Sequence, residues 1–150
     1  MTISRPQRIS RPEPPGSLLK RITAVTAPRL AGAEPKGGDP VYLAMVRQLP
    51  CLFCGVEPCG EAAHVKYSCA AFGMKNMLGR RVEDSRALPL CRDDHLNAKH
   101  AQHRGSEEAF WAALGINPYR VTTRLYAQRG DLVAMRAVVL VAIAERSKQP

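Results

Sequence analysis

The chain has 150 residues and carries 22 Lys and Arg against 13 Asp and Glu, a formal net charge of +9. This length fits one domain with a modest core, and a basic surface attracts polyanions such as nucleic acids. A basic protein with no nucleic-acid role is the alternative. No run is apolar and long enough for a membrane span or a secretory signal, so we expect a cytoplasmic protein. The five cysteines fall in metal-binding spacings, not in a disulfide ladder.

Residues 1–38 predict a disordered N-terminal arm. They contain seven Lys or Arg, two acidic residues and several prolines. Such a composition buries too little apolar surface to offset the entropy of folding. The arm either adds phosphate contacts to a nucleic-acid complex or is a solvated linker.

Ordered structure is expected from Asp39 onward. Asp is a good helix N-cap and Pro40 suits the first helical position, so a short helix should follow and end at Pro50. The elements expected next are a tight turn over 51–55, short strands at 62–65 and 87–90, and a basic loop over 66–83 between the strands.

Further helices are expected in the second half of the chain. One begins at about His95, and another begins near Ser106 and ends at Gly115. A third covers 121–128. The last one carries apolar residues at helical spacing, which predicts a core face, and these are Leu132, Met135, Val139, Ala142 and Ile143. We expect two parts after the arm, a domain over 39–118 and C-terminal helices over 119–150 that pack on it.

Three cysteines have the spacing of a structural zinc site. Cys51 and Cys54 lie on one turn and can bind one side of a tetrahedral zinc, while Cys91 offers a third thiolate. A fourth cysteine would be usual three residues later, but Asp94 stands there. Asp94 can ligate through oxygen, and His95 or Cys59 are the alternatives. Buried thiols without a metal are the competing interpretation.

The order of these features resembles the ββα-metal (HNH) endonucleases, and more closely a phage and prophage branch related to the RecA-dependent Ref nuclease. The resemblance covers residues 39–118. The segments that carry it are Tyr42-Leu-Ala, Leu49-Pro50-Cys51, Cys54-Gly55, Glu61-Ala-Ala-His64-Val65, Asp84, Leu88-Pro89-Leu90-Cys91, Gln102-His103, Glu108-Ala-Phe110-Trp111 and Gly115-Ile116-Asn117-Pro118. It implies an α+β fold, with a small zinc-stabilised ββα-metal core and flanking helices.

The same resemblance implies a metal-dependent DNA endonuclease encoded by a phage or prophage. His64 is implied as the general base, oriented by Asp84, and His95 and His103 as ligands of one Mg²⁺ or Mn²⁺ ion. The implied partners are DNA and a RecA-coated filament or phage recombination proteins. Candidate phosphate contacts are basic residues of the loop, namely Lys66, Lys75, Arg80 and Arg81.

The sequence departs from the family pattern at three places. No Asn stands at the expected loop position, since Asn76 and Asn97 lie on either side of it. Ala63 stands before His64, where many relatives have a metal ligand. His95 and His103 are eight residues apart, about 12 Å on a straight helix, whereas relatives space them four apart. Either the chain bends after His95, or His100 replaces one partner. A zinc-stabilised DNA-binding module without catalysis, and a zinc protein that docks another protein, are therefore alternative functions.

Overall fold

The computed structural model describes residues 35–75, 79 and 81–146. Most of the predicted arm, residues 1–34, and the predicted contact residue Arg80 lie outside this range. The helices and strands are α1 Pro40–Val46, β1 Gly60–His64, β2 Ala87–Cys91, α2 Glu107–Leu114, α3 Pro118–Ala127 and α4 Leu132–Arg146. This mixture of helices and a small sheet confirms the predicted α+β class.

Helix α1 begins where the sequence predicts. The Asp39 carboxylate accepts a hydrogen bond from the Tyr42 N–H at 3.0 Å, and Pro40 occupies the first turn. The helix ends at Val46, because tighter turns carry the chain on to Pro50. The buried Tyr42 hydroxyl donates to the Ala87 carbonyl, which fixes α1 against β2.

The two strands form an antiparallel sheet, and its register fixes where the predicted site residues Cys91 and His64 lie. Gly60 pairs with Cys91 and His64 pairs with Ala87. The register therefore separates Cys91 from His64 along the sheet. Each strand is one residue longer than predicted, with β1 covering Gly60–His64 and β2 ending at Cys91.

The core lies between β2, α1 and the C-terminal helices. Several of its largest side chains have almost no exposed surface, and these are Tyr42, Leu88, Trp111, Leu125 and Met135. The predicted core face of α4 is confirmed at Met135, Val139 and Ala142, whereas Leu132 keeps 37% of its surface exposed. No helix in the described part of the chain is long and apolar enough to cross a bilayer.

Two predicted helices are wrong in their bounds. The helix expected from His95 is instead a single π-helical turn, Asp93–Asn97, after which Ala98 is extended with ψ 156°. Such turns occur frequently at functional sites. Helix α3 begins at Pro118 and not at residue 121, because the Asn117 side chain accepts from the Arg120 N–H and caps it.

Candidate metal centre and active site

Cys51, Cys54, Cys91 and Asp94 bring one ligand atom each within 4.8 Å of one another. The Cys54 and Cys91 Sγ atoms are 3.7 Å apart, close to the edge of about 3.8 Å that tetrahedral zinc–sulfur bonds of 2.3 Å produce. Asp94 Oδ2 lies 3.2 Å from Cys51 Sγ and 3.0 Å from Cys91 Sγ. The cluster can therefore hold a metal ion, and its donor set is consistent with structural zinc.

Local backbone geometry builds the thiol-bearing turn. Gly55 has a φ of +78°, and its N–H donates to the Cys51 carbonyl at 2.9 Å, a conformation that glycine adopts without strain. The N–H groups of Phe53 and Cys91 both point at Cys51 Sγ. At the end of α4, the Arg146 guanidinium donates to the Phe53 carbonyl at 2.7 Å. Hydrogen bonds within the turn, from β2 and from α4 thus hold it in place.

The surroundings of the cluster oppose ionisation of its thiols. Burial is the main cause that raises the pKa of Cys51, Cys54 and Cys91. Burial also opposes ionisation of Asp94, but hydrogen bonds from Cys91 and His100 outweigh it and lower the pKa of that carboxyl. Thiolates are the ligand form, so metal binding would release protons.

His100 is bonded to Asp94 of this cluster and not to His95 or His103. Its Nε2 lies 2.9 Å from Asp94 Oδ1, on the opposite side of the carboxylate from the thiols. Its ring stacks on Phe53 with the ring centroids 4.4 Å apart. A hydrogen bond of this kind fixes the orientation of a metal ligand. Cys59 donates to backbone carbonyls nearby and lies outside the cluster.

His64 pairs with the buried Asp84 at the end of β1. Its Nε2 lies 3.0 Å from Asp84 Oδ1, and Asp84 is only 1% exposed. Asp84 Oδ2 accepts from the Arg81 guanidinium at 2.7 Å and from the Asp39 N–H at 2.8 Å. When Nε2 carries the shared proton, Nδ1 of His64 has the free lone pair. This geometry makes His64 suited to accept a proton from a bound water.

Arg81 was predicted to contact DNA phosphates. In the structure its guanidinium donates to the Asp84 carboxylate. Its guanidinium also donates to the Gly37 carbonyl at 2.9 Å. Gly38 packs directly against this pair, since a Cβ there would lie 2.4 Å from Arg81 and 2.6 Å from Asp84. Sequence reasoning missed this role of Arg81, although its spacing of three residues from Asp84 was visible.

Replacement of Arg81 by Ala should lower the melting temperature at pH 7. Burial opposes the Asp84 charge, and hydrogen bonds from Asp39, His64 and Arg81 outweigh it, so the pKa of Asp84 lies below its ordinary value. A depressed folded-state pKa gives stability above the unfolded-state pKa that is lost as pH falls. The melting temperatures of variant and wild type should therefore converge in acid. Lys75→Ala, at an exposed position, is the control, and a gap independent of pH would contradict the assignment.

His95 and His103 face each other across the bend at Ala98. Their Nε2 atoms are 3.1 Å apart, which matches two imidazole ligands about 2.1 Å from one ion. His95 Nδ1 lies 2.6 Å from Glu61 Oε2, the carboxylate partner that metal-binding histidines commonly have. Burial, with the nearby Lys66 charge, lowers the pKa of His103. The bend therefore brings His95 and His103 together although they are eight residues apart in the sequence.

Glu61 and two other residues of the site had no role assigned from the sequence. Gln102, buried in the turn before His103, donates to the His64 carbonyl at 3.2 Å and to Glu107 at 2.7 Å. Glu107 accepts from the Lys66 N–H. These bonds join the turn that carries His103 to the end of β1. The strand register places Glu61 beside the end of β2, and the predicted strand over 62–65 gave no signal for its contact with His95.

The predicted site residues therefore form three groups: the thiol cluster, the His64–Asp84 pair and the His95–His103 pair. Lys66 and Lys75 are exposed on the loop, and Lys66 lies near His103. Comparisons of the chain with protein-family models, with curated proteins and with solved structures find no match.

Proposed function

We propose that the protein is a metal-dependent DNA endonuclease of the ββα-metal (HNH) type. One observation carries this proposal. The His64–Asp84 pair and the His95–His103 pair are both attached to strand β1. His64 ends the strand, and Glu61 in the same strand accepts from His95. Gln102 links the turn of His103 back to His64. A proton acceptor and a pair of imidazole ligands thus share one support, separate from the thiol cluster.

His64 has the surroundings of a general base. A neutral imidazole takes the proton of a water as the water attacks a phosphorus atom, because its pKa lies near the working pH. Asp84 holds the ring in one tautomer and stabilises the imidazolium that forms. Arg81 and the Asp39 N–H hold Asp84 in turn, so the base is positioned by a connected set of hydrogen bonds.

The His95–His103 pair fits a divalent ion. The spacing of the two Nε2 atoms and the Glu61 bond behind His95 support this fit. Mg²⁺ or Mn²⁺ bound there would stabilise negative charge on the phosphate and on the leaving 3′ oxygen. The proposed products are 5′-phosphate and 3′-hydroxyl ends.

DNA is the proposed substrate because the net charge is +9 and exposed lysines lie on the loop that follows His64. Lys66 lies beside His103, and Lys75 is further along the same loop. Phosphate contacts of this kind position DNA without reading its sequence. A RecA-coated filament or phage recombination proteins are partners within this proposal, in the cytoplasm of a bacterial host.

The test is cleavage of supercoiled plasmid by purified protein. It is measured with added Mg²⁺, with added Mn²⁺ and with a chelator that removes the catalytic metal. We expect nicking only with added metal. His103→Ala should raise the Mn²⁺ concentration needed for half-maximal cleavage by roughly 10–100-fold or more, while Lys99→Ala should leave it unchanged. Folding of both variants is checked by zinc content and circular dichroism. An unchanged metal requirement in His103→Ala would remove that histidine from the site.

A DNA-binding module without catalysis is the second candidate. In the described residues, three or more ligating side chains converge only at the thiol cluster, and the residue before His64 is Ala63. Folded protein that retards DNA in a salt-dependent manner but never cuts it would favour this function. Absence of both activities would favour a protein-docking role.

A further inference from the structure

A cavity of about 130 Å³ lies between the first half of α3 and the second half of α4. Its apolar lining consists of side chains at the edge of the core, and these are Ile116, Val121, Val138 and Ala142. Pockets that enclose a whole small molecule measure about 300–1,000 Å³. The cavity therefore has room for one chemical group and not for a nucleotide or a cofactor.

Two exposed arginines of α3 line the same cavity. Arg120 and Arg124 are four residues apart, so their side chains lie on one side of the helix. In the part of the chain that the structure describes, neither guanidinium forms a hydrogen bond or an ion pair. By contrast, Arg81 and Arg136 are each bonded to a carboxylate. The N–H donors of the two cavity arginines are therefore available to a ligand.

The charges around the cavity favour an anion. Helix α3, Pro118–Ala127, contains two arginines and no acidic residue. Among the described lining residues the only acid is Glu145 of α4, and it forms no ion pair with either arginine. The lining thus carries two positive charges against one negative charge. Apolar side chains beside the arginines exclude water and strengthen their attraction for an anion.

The start of α3 contacts the loop that follows His64. The Tyr119 hydroxyl donates to the Tyr67 carbonyl of that loop, and the Tyr119 ring stacks on Phe72 with the ring centroids 5.9 Å apart. Arg120 follows directly in the chain. Duplex DNA carries one phosphate charge per about 1.7 Å of its axis. A duplex bound at His64 therefore has further phosphates that can reach this part of the protein.

We propose that the cavity lined by Arg120 and Arg124 binds one phosphate group of the DNA backbone, away from the bond that is cut. This inference rests on the proposed function, in which DNA is the substrate. A planar guanidinium donates two parallel hydrogen bonds to two oxygens of a phosphate. Such a contact raises affinity and fixes the position of the duplex without reading its sequence.

Binding of a fluorescently labelled duplex by the full chain, measured by anisotropy over a range of salt concentrations, tests the proposal. No Mg²⁺ or Mn²⁺ is added, so the DNA stays uncut. Arg120→Ala/Arg124→Ala should bind roughly tenfold more weakly at about 0.1 M salt, with a salt slope shallower by about 0.9, the value for one phosphate. The control Arg47→Ala/Arg136→Ala removes two charges from exposed positions outside the cavity and should change the slope far less. Equal slopes in the cavity variant and the wild type would overturn the proposal.

Two further variants separate a phosphate contact from net charge. Arg120→Lys/Arg124→Lys keeps both charges but loses the planar forks, so it should weaken binding several-fold at a nearly unchanged slope. Glu145→Gln should tighten binding, because it removes the negative charge from the cavity. Circular dichroism and thermal melting show that each variant is folded.

The remaining outcomes distinguish this contact from the proposed function. Thermal stabilisation of the wild type by inorganic phosphate, with equal DNA binding by all variants, would assign the cavity to a small anion and overturn the DNA contact. A wild type that binds no duplex would overturn the contact together with the proposed substrate. Binding with the expected salt slopes but without cleavage on addition of metal would remove only the nuclease activity.

Discussion

Replacing His64 with Ala is expected to reduce metal-dependent plasmid cleavage by roughly 10²–10⁴-fold, the usual contribution of a positioned acid or base. The imidazole is the proton acceptor next to Asp84, and alanine offers no substitute. DNA binding should be preserved, because only 25% of the His64 side chain is exposed. The measurement is the initial nicking rate at saturating Mn²⁺, with gel retardation of the same DNA beside it.

Two further variants make the His64 result specific. Asp84→Asn keeps the shape of the partner but removes its charge, so it should slow cleavage without abolishing DNA binding. Val41→Ala, on α1, where the valine is 69% exposed, should cut at a rate close to that of the wild type. If His64→Ala nicks plasmid as fast as the unaltered protein, the base lies elsewhere and the proposed roles of both paired residues are wrong.

The second large effect is expected from Cys54→Ser. Cys54 is exposed, so exchange of sulfur for oxygen removes little buried surface, and any large effect must come from a lost metal ligand. Structural zinc contributes about 10 kcal/mol or more to the folding of small domains, comparable with their whole stability. We expect the variant to lose stoichiometric zinc and its cooperative thermal transition near neutral pH. Elemental analysis and circular dichroism measure both.

Cys69→Ser is the matched control for the zinc cluster. Cys69 is a half-buried thiol outside the group of converging ligands, so its replacement should leave zinc content and melting temperature nearly unchanged. Titration of the wild type with a strong chelator should reproduce the Cys54→Ser phenotype. Retention of zinc and of the wild-type melting temperature by Cys54→Ser would show that the cluster binds no structural metal.

The completion of the thiol cluster shows where sequence reasoning reached its limit. The sequence predicted Cys51, Cys54 and Cys91 from spacing, but left Asp94, His95 and Cys59 open as the fourth ligand. Only the π-helical turn aims Asp94 at the thiols and turns His95 away toward Glu61. The choice depends on a contact between residues 34 positions apart, which local preference does not encode.

The histidines and Arg81 show the same limit. The eight-residue spacing of His95 and His103 allowed either a bend or a replacement by His100. The extended backbone at Ala98 decides it, bringing His103 to His95 and leaving His100 on Asp94. Arg81 was one of several loop cations in the sequence, and only its bonds to Asp84 and Gly37 set it apart.

The sequence by itself determined the parts of this protein that local physics controls. Caps at Asp39 and Ser106 and the αL glycine at Gly115 are decided within a few residues, as are the thiol turn and the apolar period of α4. The tertiary structure decided which atoms meet. Pairing of β1 with β2 and the bend at Ala98 bring together groups far apart in the chain, because long-range packing selects one conformation among several that local preferences allow.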